Sequence, residues 1–471
     1  KVAAQLLSYA DGKARLLIEA IVPATGYAVY DVRTSGSSAD TRVSVDSNAL
    51  ENSIYKITLD TKGDIVSLFD KKNGKELVKP GKSIRLALFT QNKSYMWPAW
   101  EILKETIDRE PVSITEDVKM TLVEDGELRK SLCIEKRYGE SLFKQYIRLY
   151  EGSRADRIDF YNEVDWQLSN ALLKAEFPLN MANTEATYDL GLGSVRRGNN
   201  TETAYEVYAQ YWADLTDRSG NYGVSVLNDS KYGWDKPDDH TLRLTCLHTP
   251  AGAFIKEARQ DLMDLGRNRF GFGIYSHKGG WQTGTQTAAE AFSKPLVAFQ
   301  TSARKNGKLG SAFSAAALNT ESALLRAFKK SEDGSGYIVR VGEAAGQAQQ
   351  AVTFSVYRAI AGATLCTADE RPIQPIEIQN GQLTFDLKPF EVKTFLLTFE
   401  AEKLPREKFK KMELPVNTKG LTTDEDMRNC ILQGAGFSLP AELLPQVPTY
   451  KGITFKLPQV SDGNDLLVAR G

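Results

Sequence analysis

"RIDFYNEVDW", residues 157–166, alternates in character: Ile158, Phe160, Val164 and Trp166 fall to one side, Asp159, Tyr161, Glu163 and Asp165 to the other. A period of two marks a strand with one face in a core and one in water, because successive side chains of a pleated chain point in opposite directions. The same pattern places Tyr55, Ile57 and Leu59 together in "SIYKITLD", and Phe395, Leu397 and Phe399 in "VKTFLLTF". Turn signals separate such runs: residues 61–64, "KKNGKE" with its Asn73-Gly74 dipeptide, "DRSGNYG" and "EDGSGY". Frequent short strands with Gly-rich turns predict an all-β assembly of packed sandwiches.

Helical signals are few. "GAFIKEARQDLMDLGRN" spaces Ile255, Ala258, Leu262 and Leu265 like one helix face and stops at Gly266. "TTDEDMRNCILQG" offers Thr422 as an N-cap with Glu425 three residues on, and Gly434 to end it. Ser-, Asp- and Thr-rich residues 33–53 and charged, proline-interrupted residues 400–420 read as linkers. The expected division is 1–45, the end of a small β-sandwich and a linker; 46–310, a central body; 311–402, a smaller sandwich; and 403–471, a linker and a truncated β module. No fixed-period repeat is evident.

At 471 residues the chain has material for roughly three domains. Its 59 Lys and Arg against 60 Asp and Glu leave a net charge of -1, which provides no global field for nucleic acid or an anionic membrane. Cys133, Cys246, Cys366 and Cys430 lie far apart with no metal-ligand spacing, so they read as isolated buried thiols and leave the compartment open. No run is long enough to span a bilayer and none reads as a secretion signal. Both ends, opening at Lys1 and stopping inside an apolar run, read as cut from something longer.

Candidate chemistry is sparse. Glu163 and Asp165 share a strand face about 7 Å apart, a spacing that suits paired glycosidase carboxylates, although a solvated sheet face is the plainer reading. His240, His248 and His277 have no HxD, HxH or HExxH neighbour, and Asp238-Asp239-His240 reads as a loop after Pro237. Nucleophile elbows, P-loops and dinucleotide fingerprints are missing. Trp97, Trp100, Tyr211, Trp212, Trp234 and Trp281 could offer flat faces to sugar rings, although packing is the commoner fate of tryptophan.

Residues 211–250, "YWADLTDRSGNYGVSVLNDSKYGWDKPDDHTLRLTCLHTP", closely resemble the C-terminal β region of glycoside hydrolase family 38, the α-mannosidases, in its bacterial-type branch. "ENSIYKITLDTKGDIVSLFDKKNGKELV" resembles that region's opening hairpin, and "RIDFYNEVDWQLSNALLKAEFPLN" its middle strands. "ALLRAFKKSEDGSGYIVRVGEAAG" and "FDLKPFEVKTFLLTF" resemble its closing sandwich, and "GFSLPAELLP" the start of the last module, so the likeness runs over most of residues 15–471. One departure is "LHTPAGAFIKEARQ", which carries His248 where the family shows Arg.

The resemblance implies a galactose-mutarotase-like β-supersandwich and smaller sandwich modules. It implies that the full-length protein is a zinc-dependent retaining glycosidase acting on glycans with terminal α-mannose. The family's zinc ligands and Asp nucleophile lie in an N-terminal barrel that nothing here matches, so this chain is expected to hold no catalytic residue, metal or cofactor. Its expected partner is its own N-terminal catalytic domain, which it braces. On this reading Asp229, Lys231, Tyr232 and Trp234 form one rim of the glycan pocket. The alternative for Asn228 and Asp229 is a strand end capped by its own backbone, with Gly233 relieving the bend. Rival functions are an independent carbohydrate-binding module, a mutarotase-like epimerase built on a His and a carboxylate, and a pure scaffold.

Overall fold

The computed structural model describes residues 2–33, 42–98, 100–252, 263–301 and 310–400, with four short strands beyond them. It divides into two units, residues 1–400 and 401–471. In the first, a ten-stranded antiparallel sheet is built around Arg157–Trp166, which pairs with Ser141–Tyr150 on one side and Gly266–Lys278 on the other. A six-stranded sheet, with Arg85–Thr90, Ala171–Pro178 and Thr241–Thr249 side by side, lies against it. A four-stranded sheet of residues 49–76 extends this second layer through the Ile65–Ile84 and Val78–Leu179 bridges. The fold is the all-β supersandwich that the alternating pattern and the resemblance anticipate.

One continuous core fills the space between the layers, with Ile158, Phe160, Val164 and Trp166 from one sheet meeting Leu173, Phe177, Leu242 and Leu244 from the other. Each fully buried side chain of this size stabilises by about 1.5–3 kcal/mol. Polar groups pin the layers as well. Tyr222 Oη and Ser276 Oγ both donate to Asp70 Oδ2, at 2.7 and 2.8 Å, and Tyr55 Oη lies 2.7 Å from Ser276 Oγ. Burial would raise the Asp70 carboxyl, but these donors and Asn73 hold it below its usual value.

A second core lies between a five-stranded and a three-stranded sheet of residues 316–399, where Phe354, Leu383, Phe395 and Leu397 meet. The amino-terminal strands are tied in by backbone pairing and by side chains. Gly26–Ala28 pairs with Ala312–Ser314, and the buried Gln5 side chain bonds the backbone of Leu128 and Arg129.

Two expectations change, and a third is left largely untested. The stretch read as a first linker contains Arg42–Asp46, an edge strand of the ten-stranded sheet, and Ala49–Glu51. Its Ser and Asp content hid the Val43–Val45 alternation. In the stretch "TTDEDMRNCILQG", Ile431–Leu432 is a strand paired with Ala435–Gly436 rather than a helix end, and the rest lies outside the described residues. The helix expected before Gly266 also falls largely outside them, over 253–262.

A helix at Thr285–Ser293 buries Thr285, Ala289 and Phe292 against the outer face of the ten-stranded sheet. It fits because Gly271 and Gly273 leave a trough: a Cβ at Gly271 would come 3.3 Å from the Phe292 ring. The outer face read as solvated is therefore partly closed, and Asp159 is buried with Arg157 as its ion-pair partner at 2.6 Å.

Candidate functional site

Tyr222–Asn228 belongs to the ten-stranded sheet and Gly233–Asp235 to the six-stranded sheet, so residues 229–232 form a corner between the two layers. Asn228 is buried and builds that corner. Its Oδ1 accepts from Lys231 N at 2.9 Å and its Nδ2 donates to Gln210 O at 2.6 Å. Asp229 is exposed, with Oδ1 accepting from Gly271 N at 3.1 Å. Lys231 carries its ammonium 5.4 Å from the centre of the Phe270 ring. Tyr232, 49% exposed, pairs with Tyr208 at 6.3 Å.

Two residues behave otherwise than expected. Trp234 is fully buried in the main core, because the alternation of its strand turns it inward, so it leaves both the rim and the set of exposed aromatics. Gly233 does not relieve the bend, since its φ is not positive. A Cβ there would lie 2.4 Å from Glu206 Oε1, so glycine allows a carboxylate to approach the backbone.

A second feature stands at the same end of the six-stranded sheet. Thr90, Ala171 and Thr249 are in register there, and Trp234 pairs with Leu244, so the corner projects the same way. Beyond Thr90 the chain pairs Lys93–Ser94 with Ala251–Gly252. Glu101 then gathers the loop: its Oε1 accepts from Ser94 Oγ, Met96 N and Trp97 N at 2.5, 2.7 and 3.0 Å. These bonds hold its carboxyl below the usual range. Trp97 and Trp100, 53% and 82% exposed, stack at 5.4 Å and 20°. A formed loop thus presents two indoles to solvent, the geometry that suits the apolar face of a sugar ring. Of the other candidate aromatics, Trp212 and Trp281 stack on each other beneath the Thr285–Ser293 helix, and Tyr211 packs beside them.

The outer face of the sheet between these features carries a buried ion lattice that sequence reading did not find. Lys174 Nζ, fully buried, meets Asp235 Oδ1 at 2.7 Å and Glu206 Oε2 at 2.5 Å. Arg243 meets Asp235 Oδ2 at 2.6 Å and donates to Ile107 O at 3.2 Å. Burial would raise the Asp235 carboxyl, but the Lys174 and Arg243 charges hold it below its usual value. Lys174 is sealed between two carboxylates and Asp235 fixes the Arg243 guanidinium, so the lattice positions the strands.

Comparison with known proteins bears on this fold. The family described as "Glycosyl hydrolases family 38 C-terminal domain" matches residues 50–252, which contain the corner, the tryptophan loop and the lattice, and "Glycosyl hydrolases family 38 C-terminal beta sandwich domain" matches residues 322–395. Over these two spans the chain belongs to glycoside hydrolase family 38. "AziU2-like beta-sandwich domain" matches residues 407–471. Among relatives of this family 38 chain, Homo sapiens alpha-mannosidase 2C1 is 26% identical over 411 residues, covering 83% of this chain and 38% of that protein. Dictyostelium discoideum alpha-mannosidase G is 26% identical over 410 residues, covering 79% and 36%. The chain therefore spans well under half the length of these relatives. The crystal structure of an alpha-mannosidase from Enterococcus faecalis V583 has the same fold, with a TM-score of 0.65 at 16% identity, covering 85% of this chain and 49% of that one.

Zinc does not fit the described part of this family 38 chain. Among the described residues no group of three or more His, Cys, Asp or Glu is placed to hold a metal ion. The histidines do not converge, and His248 Nε2 is buried without a hydrogen-bond partner among the described residues. His240 Nδ1 lies 2.7 Å from Met181 O; burial brings the His248 imidazole down to about 4. Asp239 bonds Asn199 and Arg218 rather than joining His240 and Asp238 around an ion.

His277, Asp214 and Ser225 have a hydrolase-triad composition, but His277 Nε2 and Ser225 Oγ both address Asp214 Oδ2, each at 2.8 Å. The imidazole is not placed between nucleophile and acid, and His277 and Asp214 side chains are each 1% exposed. This pair cannot receive a sugar, so it lends no support to the epimerase reading. Glu163 faces Arg269 at 3.3 Å and Asp165 accepts from Gln167, a solvated arrangement. Cys133, Cys246 and Cys366 are free and buried, and burial pushes the Cys246 thiol up to about 12; Cys430 lies outside the described residues.

Proposed function

We propose that this chain is the non-catalytic C-terminal β region of an α-mannosidase. It braces an upstream catalytic domain and shapes the outer part of the pocket that receives terminal α-mannosides. The observation that carries the reading is that the span matched by the family, residues 50–252, brings the exposed corner at Asp229, Lys231 and Tyr232 and the stacked Trp97 and Trp100 to one end of one sheet. The relatives' designation as alpha-mannosidases supports the substrate class. The zinc and the nucleophile of a retaining reaction belong, on this reading, to the upstream domain, and no step is assigned to residues of this chain. Hydrolysis of an aryl α-mannoside, by this chain alone and by a longer protein containing the upstream domain, tests it.

The exposed indole pair also favours a second reading, an independent carbohydrate-binding module. Trp97→Ala/Trp100→Ala separates the two. A rim that works with a catalytic domain predicts roughly a tenfold rise in KM for a mannooligosaccharide, about 1.4 kcal/mol, with kcat nearly unchanged. It also predicts no measurable oligosaccharide affinity for this chain alone. Saturable binding by the chain alone, lost in the double variant, would instead establish the module. An unchanged KM would remove the tryptophans from the pocket.

A further inference from the structure

At the opposite end of the six-stranded sheet from the corner lies a groove of about 610 Å³, large enough for a small-molecule ligand. Arg243, Lys79 and Lys82 are among the residues that line it. The charges around it are unequally committed. Each carboxylate has a partner: Glu176 takes Arg85 at 2.8 Å, Asp108 takes Lys104 at 2.5 Å, and Glu110 lies 3.6 Å from Arg85. Asp238 accepts from His240 N at 2.7 Å and Thr241 Oγ1 at 3.2 Å.

The cations retain capacity. Arg243 is 3% exposed, and its Nε and Nη2 are held by Asp235 and Ile107, while Nη1 has no partner among the described residues. Lys79 and Lys82 form no ion pair among the described residues. The uncommitted donors of the groove thus include a guanidinium N–H pair, held in plane by Asp235, and two ammonium groups. That is a donor-only set with positive charge, which suits an oxyanion with several acceptor oxygens.

We propose that this groove is a binding site for a phosphoryl oxyanion, either free phosphate or the phosphate of a hexose phosphate, separate from the end of the sheet that carries the tryptophans. Asp235 fixes the Arg243 plane, and Lys79 and Lys82 close on the oxyanion from the rim. The proposal stands whether or not the chain serves a mannosidase, because it rests on this groove alone.

Titration calorimetry on the intact chain with inorganic phosphate, mannose 6-phosphate and mannose tests it. Saturable binding of phosphate and mannose 6-phosphate is expected, with at least a tenfold loss of affinity in Lys79→Ala/Lys82→Ala and retention in Lys79→Arg/Lys82→Arg. Both positions are at the surface, and an unchanged unfolding midpoint would show that the fold is intact. Tighter binding of mannose 6-phosphate than of phosphate would assign the sugar body to the groove, and equal binding would assign the oxyanion alone. No saturable binding of either oxyanion would overturn the proposal. So would equal affinity in the alanine variant, or mannose binding as tightly as mannose 6-phosphate.

Discussion

Asp235→Ala is expected to destabilise the sandwich by about 3–5 kcal/mol, the usual cost of removing one partner from a buried ion set. The reason lies in what remains. Lys174 is fully buried with its ammonium 2.7 Å from Asp235, and among the described residues Arg243 pairs with no other carboxylate and Lys174 with Glu206 besides, so the change strands one cation and leaves the other with Glu206. Lys174, Arg243 and Asp235 also sit on adjacent strands, so the loss falls on the sheet that carries both ends of the candidate machinery. Urea unfolding should show a lower midpoint with an unchanged slope. The pH dependence has a definite sign. The Asp235 carboxyl is held below its ordinary value, so its contribution is present above the unfolded value near 3.8 and is lost as pH falls through the lower folded value. Wild type and variant should therefore converge in stability toward strong acid. A cost below about 1 kcal/mol would mean that water reaches these charges, as it does in surface pairs.

Asp229→Ala should separate a rim from a turn. Within this chain Asp229 Oδ1 accepts from Gly271 N and from the adjacent Ser230 Oγ at a surface position, so its loss should cost only about 1 kcal/mol of stability. In a longer protein with the upstream domain, the rim reading predicts a ten- to hundredfold fall in kcat/KM toward an α-mannoside, about 1.4–2.7 kcal/mol of transition-state stabilisation. Asn228→Ala should behave in the opposite way, losing stability first, because Asn228 is buried and its side chain bonds both Gln210 and Lys231. Unchanged kcat/KM in Asp229→Ala would leave the corner as a turn that joins two sheets.

The strands were legible wherever one face was apolar: Tyr55, Ile57 and Leu59, and Phe395 and Leu397, point inward as the period of two requires. The exposed Trp97 and Trp100 were visible only as residue types, since the bonds that Glu101 makes to fix their loop depend on a side-chain geometry that composition does not carry. Trp234 could have been placed by its own alternation with Asp235, had the strand after Gly233 been recognised. The ion lattice was hidden for a different reason. Lys174, Glu206, Asp235 and Arg243 are joined only by strand register, and the one local hint is a lone charge inside an apolar run, Lys174 in "ALLKAEFP" and Arg243 in "TLRLT". The Thr285–Ser293 helix was missed because its buried face, Thr285, Ala289 and Phe292, is nearly all small residues, and what makes it pack is the glycine trough on a neighbouring strand.

The central claim is that this β region supports mannoside hydrolysis without performing it. The measurement that tests it most directly is release of the aryl group from an aryl α-mannoside, by this chain at high concentration and by a longer protein that includes the upstream domain, each with and without added zinc. The account predicts no turnover by the chain under either condition, and turnover by the longer protein that depends on the metal. Zinc-dependent turnover by the chain alone would contradict it and make His240, His248 and His277 the first residues to replace.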